Sequence, residues 1–355
     1  MEKKRKIRKY IINLIIFVLL IALTFSLILK DQDVSQIFSI VKSVKKEYII
    51  VAIIAMSIYF VCETVNIGRI LKALGEKSTF LKNIRYTLVG FFFSSITPAA
   101  SGGQPMEIYY MHKEKISVAN STLALLIQLS SFQVVTISMG IICAIVNFDL
   151  LKNGLIWLLV LGIVLNSSAL TLLIIGIFSK RLSEGLIKIC VKLLKFFRVK
   201  NIAKNQEKIE KELNKYQASA VYIKQHKVLM LKTILTTLIQ VISYYSIPYW
   251  IYCAFGYSEY GIIKIITLQS VLYATVSGIP SPGAVGVSEG GFLGIFRNVF
   301  PEATISSAML LNSGVNFYLF VIISAIIVMI TALKTKNIQI EEEVTKENEK
   351  AQNEN

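Results

Sequence analysis

Histidine and cysteine are scarce in this chain, with two His and four Cys in 355 residues. His112 and His226 stand far apart, so a His-based zinc site or a Ser-His-Asp triad has little to form from. Cys62, Cys143, Cys190 and Cys253 show neither metal-ligand spacing nor a disulfide framework. No nucleotide-binding loop is present: Ser101-Gly102-Gly103-Gln104 and Gly283-Ala284-Val285-Gly286 both lack the Gly-Lys-Ser/Thr ending. That argues against ATP-driven transport by this chain. Charge is thin, at 17% of residues. No stretch between apolar runs exceeds about fifty residues, which leaves no room for a conventional soluble catalytic domain. Proline is the scarcity that informs most: there are six, and four fall in two short segments.

What is abundant is apolar sequence. Hydrophobic residues make up 54% of the chain and the mean hydropathy is +0.61. Eight charge-free stretches stand out, at 10–29, 48–62, 86–106, 116–148, 153–179, 233–258, 265–288 and 303–333. A helix needs about 20 mostly apolar residues to cross hydrocarbon. Most of these runs qualify, and 48–62 does so if extended past Glu63 to Ile67. The fold class expected is an all-α polytopic membrane protein with about 6 to 8 transmembrane helices.

The formal net charge of +16 is concentrated in the connections, as positive-inside topology requires, and is not a nucleic-acid signal. Lys3, Lys4, Arg5, Lys6, Arg8 and Lys9 precede the first run, and no small-residue cleavage site follows it, so an uncleaved first span is expected. Arg69, Lys72, Lys77, Lys82 and Arg85 flank one side of 86–111, and His112-Lys113-Glu114-Lys115 the other. If both flanks lie in the cytoplasm, 86–111 is a re-entrant hairpin with its tip near Pro98 to Gly103; for this and the next hairpin the alternative is a full span plus a short half-helix, which changes the span count but not the site. The same bookkeeping makes 262–302 a second hairpin, entering from the opposite face, with its tip near Pro280 to Gly286. The expected organisation is a transmembrane domain over 1–335, built from inverted half-repeats at about 48–147 and 229–333. The basic cytoplasmic loop 179–228 joins them, and a disordered tail covers 336–355. Within that loop, 183–198 is amphipathic and basic, fitting either the anionic inner leaflet or a solvated connecting helix. Both termini are expected in the cytoplasm.

The two proline-bearing segments are Pro98-Ala99-Ala100-Ser101-Gly102-Gly103-Gln104-Pro105-Met106-Glu107 and Pro280-Ser281-Pro282-Gly283-Ala284-Val285-Gly286-Val287-Ser288-Glu289. Each carries a Glu nine residues after its first Pro, and they lie 182 positions apart. Matched Gly/Pro breaks in corresponding parts of two halves point to a transport site. Glycines let backbones approach, and free amides at a half-helix start hold anions. The alternative is a pair of kinked helices without a ligand. Substrate-binding candidates are therefore Pro98, Gly102, Gly103, Gln104 and Glu107 in the first segment, and Pro282, Gly283, Gly286, Glu289 and Gly290 in the second. Glu289 follows a 24-residue charge-free run, where a carboxyl group is expensive and usually functional. Its competing role is helix capping. Glu107 opens a less hydrophobic stretch to His112 and is expected nearer the water boundary.

Glu63 is a further candidate inside the second span, on one helix face with Asn66. Arg69, nearer the cytoplasmic edge, could hold a lipid phosphate or serve as a snorkelling anchor. Gln128, Ser130, Ser131, Gln133, Asn166, Gln240, Gln269, Asn312 and Asn316 dot the other spans. Such residues mostly join helices, although a wet groove for a headgroup would use the same types. Asn312 and Asn316, four apart, are expected on one face.

At these motifs the chain resembles the lysylphosphatidylglycerol synthase transmembrane (flippase-like) family. Thr97-Pro98 through Gly102-Gly103-Gln104-Pro105-Met106, with Tyr109-Tyr110-Met111, is similar to the family's first signature. Pro282-Gly283-Ala284-Val285-Gly286-Val287-Ser288-Glu289-Gly290-Gly291 is similar to its second, and Asn66 to Gly75 resembles the Arg-containing segment after its second span. Residues 8–335 carry the resemblance. Many relatives have a Glu-Arg pair near the start of the fourth span, where this chain has Gln128 and Ser130.

The resemblance implies the lipid-translocating part of bifunctional members, without their soluble aminoacyltransferase. The expected function is a flippase- or scramblase-like transporter of a phospholipid, aminoacylated phosphatidylglycerol being one candidate. One alternative is a component of phosphatidylglycerol lysyltransferase acting with a separate catalytic domain. Another is an ion-coupled transporter of a small solute. No catalytic residue, cofactor or metal is assigned. Expected partners are the phospholipid substrate, anionic inner-leaflet lipids and a separate aminoacyl-lipid synthase, at a cell membrane.

Overall fold

A computed structural model of the chain describes residues 34–151, 154–179, 202–277, 279 and 282–331. The expected first span 10–29, the segment 183–198 and the tail 336–355 lie outside the described residues. Every regular element described is helical. Five helices are long and apolar enough to cross a membrane: α2 (Lys46–Ala73), α5 (Val118–Val146), α7 (Leu155–Phe178), α9 (Lys227–Ala254) and α12 (Glu302–Thr331). The chain is a multi-pass membrane protein. Between the spans lie α1 (Val34–Ser43), a four-residue turn of helix α6 (Phe148–Leu151) and the polar α8 (Ile202–Gln225). Two broken pairs complete the fold. One is α3 (Phe80–Ser95) with α4 (Gly103–Lys113), and the other is α10 (Ile262–Val276) with α11 (Val287–Ile295).

The long helices stop where glycine lets them. After α2, Gly75 adopts φ +77°, its N–H reaches Lys72 O at 3.1 Å, and Glu76 N–H reaches Leu71 O at 3.0 Å. After α9, Gly256 adopts φ +83° and donates to Cys253 O at 2.9 Å. These left-handed closures use carbonyls that a helix end leaves unpaired. The two glycines lie 181 positions apart, almost the spacing of the proline-rich segments. Each precedes a broken pair.

α2 and α9 are antiparallel and pack along their length. Lys45 N, before α2, donates to Ala254 O at the end of α9. At the other end, Asn66 Nδ2 donates to Thr237 Oγ1 at 3.0 Å, and Arg69 Nη1 lies 2.7–3.0 Å from Asn66 Oδ1, Lys232 O and Thr236 Oγ1. Hydrogen bonds of this kind join membrane helices.

That antiparallel pair fixes the sense of the broken ones. α3 and α4 form a hairpin whose two outer ends meet: Glu114 accepts from Lys82 at 3.0 Å, Arg85 at 2.6 Å and Tyr86 Oη at 2.8 Å. This base lies at the Ala73/Lys227 end of the bundle, because the Leu74–Thr79 connection is short. α10 and α11 form the second hairpin. Its base closes at the opposite end, following Ala254, where Tyr260 Oη donates to Asn298 O at 3.3 Å. Aromatic rings replace ions there: Phe292 stacks on Phe296 at 4.5 Å, and Phe300 meets Tyr252 edge-on at 5.5 Å. The hairpins therefore enter from opposite ends, as the charge pattern implies, and their tips touch in the middle of the bundle.

α7 forms the outer wall beside the second hairpin. A Cβ on Gly162 would meet the backbone of Ala274 at 2.7 Å, so this glycine is what lets α7 and α10 approach. The rest of α7 presents Trp157, Leu161 and Leu172 outward, as a lipid-facing helix does. A π-turn at Gly314–Tyr318 interrupts α12. The extra residue in that turn shifts the helical phase. Asn312, before this turn, is buried, and Asn316, within it, lines a cavity.

Candidate functional site

The hairpin tips are made by backbone that alanine rarely adopts. Ala99, Ala100 and Ala284 have φ of 52°, 53° and 56°, beside Gly283 at 59°. Left-handed backbone costs a non-glycine residue about 1–2 kcal/mol. Its recurrence at both tips means surrounding contacts hold it. In the first tip, Thr97 Oγ1 donates to Phe93 O at 2.6 Å and accepts from Gly102 N–H at 2.9 Å, stapling the end of α3 to the start of α4. Gly103 packs against Ser94 and the Gly90 carbonyl. In the second tip, a Cβ on Gly283 would meet Ser95 O at 3.0 Å and the Phe317 ring. Gly283 is thus the point where one hairpin touches the other.

Glu289 is 2% exposed. Its Oε2 accepts from Gly286 N–H at 2.8 Å and its Oε1 from Tyr318 Oη at 3.0 Å. The first bond is the carboxylate half of a capping box, since glycine has no side chain to return the other half. The capping role is therefore realised, and the same side chain also lines a cavity.

Glu107 departs from expectation. It is 5% exposed, not at a water boundary, and it packs against Gly90, where a Cβ would collide with its carboxylate. The polar stretch after it misleads because only one side of α4 is wet: Tyr110 and Met111 are buried while Tyr109 is exposed. Glu107 also falls five positions into α4, past the first turn, and so cannot cap it as Glu289 caps α11.

Two neighbouring cavities lie at the tips. The larger, of about 380 Å³, lies between the hairpins, α2, α9 and α12. It has an apolar lining from Met56, Leu272 and Phe317 among others, and polar points at Glu289, Gln269 and Asn316. Gly283 and Ala284 border it. The smaller, of about 240 Å³, has a larger share of polar lining, including Glu63, Glu107, Gln104, Gln128, Gln133 and Gln240. Tyr59, Phe91, Ser94, Phe132 and Tyr273 line both and form the partition.

The sequence candidates thus sort into groups. Gly283 and Glu289 reach the larger cavity; Gln104, Glu107 and Glu63 reach the smaller. Gly102, Gly103 and Gly286 shape the tips without lining either. Gly290 is exposed on α11. Pro98 and Pro282 begin the tip turns. Arg69 borders neither cavity, and its guanidinium is engaged by the α2–α9 clasp. Tyr318, Phe317, Tyr59, Phe132 and Tyr273 were not singled out from sequence, and Thr97 entered only as part of the first signature segment. Only Thr97 carried a local signal, standing directly before Pro98.

Two comparisons bear on identity. Over 331 residues the chain is 22% identical to a UPF0104 membrane protein of Archaeoglobus fulgidus, covering 88% of this chain and 95% of that protein. Residues 10–324 match the family described as Lysylphosphatidylglycerol synthase TM region. The chain belongs to that family.

Proposed function

We propose that this chain moves a phospholipid between the leaflets of a cell membrane, phosphatidylglycerol or its aminoacylated form being the candidate cargo. The observation that carries the reading is the cavity of about 380 Å³ at the meeting point of the two tips. Its walls are apolar enough for acyl chains, and its polar points cluster where the helices break. A headgroup needs polar partners at membrane depth, and broken helices supply them only where protein or a wet cavity shelters the backbone. Hairpins from opposite ends also give the site a route to each side.

The orientation proposed places the Ala73/Lys227 end in the cytoplasm. Lys72, Lys77, Lys82, Arg85, Lys113, Lys115, Lys215 and Lys232 gather there, as positive-inside topology favours.

The test is a leaflet assay in proteoliposomes containing headgroup-matched fluorescent phosphatidylglycerol and an impermeant quencher. The native chain is expected to bring inner-leaflet lipid to the quencher faster than protein-free vesicles. Glu289→Gln is expected to slow it at least about tenfold, a loss equivalent to roughly 1.4 kcal/mol. Native kinetics equal to empty vesicles would reject the function, and unchanged kinetics in the variant would remove Glu289 from it.

A further inference from the structure

The smaller cavity gathers two carboxyl groups and four glutamines. Gln240 Nε2 donates to Glu63 Oε2 at 3.3 Å, and Gln128 Nε2 donates to Gln240 Oε1 at 3.2 Å. A carboxylate only accepts, so Glu63 fixes the order of this chain. Each amide spends an N–H toward Glu63, and Gln128 Oε1 is left over. Gln128 Oε1, Gln133 Oε1 and Glu107 Oε2 are buried without a hydrogen-bond partner. Gln128 is 4% exposed and Glu107 5%. No Lys, Arg or His is among the described residues that line the cavity.

Buried carboxylates without a countercharge are costly, and buried polar atoms are normally paired. We infer that this cavity binds a monovalent alkali cation, with Glu107 and the side-chain carbonyls of Gln128 and Gln133 as oxygen ligands. A proton on Glu107 would let it donate to one amide carbonyl, whereas a hard cation takes the carboxylate and several carbonyl oxygens together. A divalent site is disfavoured, because no group of three or more His, Cys, Asp or Glu is clustered among the described residues. The aromatic partition keeps the cation apart from the larger cavity, and faces of Phe or Tyr rings favour positive charge nearby.

The binding claim stands independently of lipid movement; coupling of the cation to transport rests on the function proposed above. Purified full-length chain is heated at fixed pH and ionic strength in NaCl, KCl, methylammonium chloride or choline chloride. At saturation, sodium or potassium is expected to raise the melting temperature by about 3–8 °C over choline. Glu107→Gln and Gln128→Leu should each remove most of that shift, while Glu76→Gln, outside the cavity, should keep it. Saturable binding of radiolabelled sodium to the native chain gives a readout should a variant fail to fold. Equal melting in all four salts with no sodium binding would overturn the proposal. So would stabilisation by methylammonium alone, an alkali shift that survives in Glu107→Gln, or a shift that follows pH and ignores the salt. A lipid assay on the same preparation separates the two readings: cation binding without lipid movement would leave this site standing and remove the transport function.

Discussion

Glu289 performs two tasks with one carboxylate. One oxygen holds the first turn of α11 and the other accepts from Tyr318, tying the second hairpin to the π-turn of α12. Glutamine can reproduce this arrangement, its oxygen accepting from Gly286 N–H and its amide donating to the Tyr318 hydroxyl. Alanine leaves both partners unmet. Glu289→Ala is expected to cost about 1–3 kcal/mol of stability and Glu289→Gln under about 1 kcal/mol, by denaturant or thermal unfolding in detergent. Equal losses in the two variants would show that the bonds contribute little. At this scale the sequence was partly legible. A carboxyl after a long apolar run is visible by inspection, but its partner is 29 positions away and no spacing rule finds it. The misplacement of Glu107 has a similar origin. Mean polarity over Glu107 to His112 does not reveal which side of α4 faces Gly90, and the only local hint was a glycine in the apolar run of α3.

Between elements, the two hairpin bases use different chemistry. The first is closed by ions around Glu114, and beside it Glu76 joins three elements at the same end of the bundle. Glu76 Oε1 accepts from Asn120 Nδ2 at 2.7 Å, Lys215 Nζ at 3.2 Å and Ser117 N–H at 3.4 Å. Burial pushes the Glu76 carboxyl up; the bonds from Asn120 and Lys215, the Lys215 charge and the Ser117 amide outweigh it, and the group lies below its ordinary value. A depressed folded pKa stabilises the fold in full above the unfolded value of about 4.3 and loses that contribution as pH falls through the folded one. The native chain should therefore be more stable than Glu76→Gln at pH 7, and the gap should close below about pH 4. A gap that is constant from pH 7 to pH 3 would contradict the assignment. The breaks themselves were legible: basic flanks on both sides of 86–111 suggested a return, and the bookkeeping of the later spans suggested the same for 262–302 from the other face. The π-turn was not. Nothing in Gly314-Val315-Asn316-Phe317-Tyr318 announces an extra residue in the turn, and the phase of everything after it moves.

Across the whole molecule, the repeat explains why two weak motifs make one site. α2 leads into the first hairpin and α9, antiparallel to it, into the second, so the breaks approach from opposite ends and meet where Gly283 lies on Ser95. Together they border about 380 Å³ of mostly apolar space, next to about 240 Å³ that holds two glutamates and four glutamines. The spacing of 182 residues showed the pairing in the sequence, but not the partition between the cavities. That partition is built from Tyr59, Phe91, Phe132 and Tyr273, which lie on four different helices. In sequence they look like ordinary membrane aromatics.

The meeting of the tips is the point on which the account turns, and cysteine cross-linking in intact membranes tests it directly. With the four native cysteines replaced, Ala99→Cys and Ala284→Cys are combined in one chain and treated with a short bis-thiol reagent. The account predicts an intramolecular cross-link between the two hairpins, as efficient as that of a control pair within one hairpin. A control pair that reacts while the tip pair stays unlinked would contradict it.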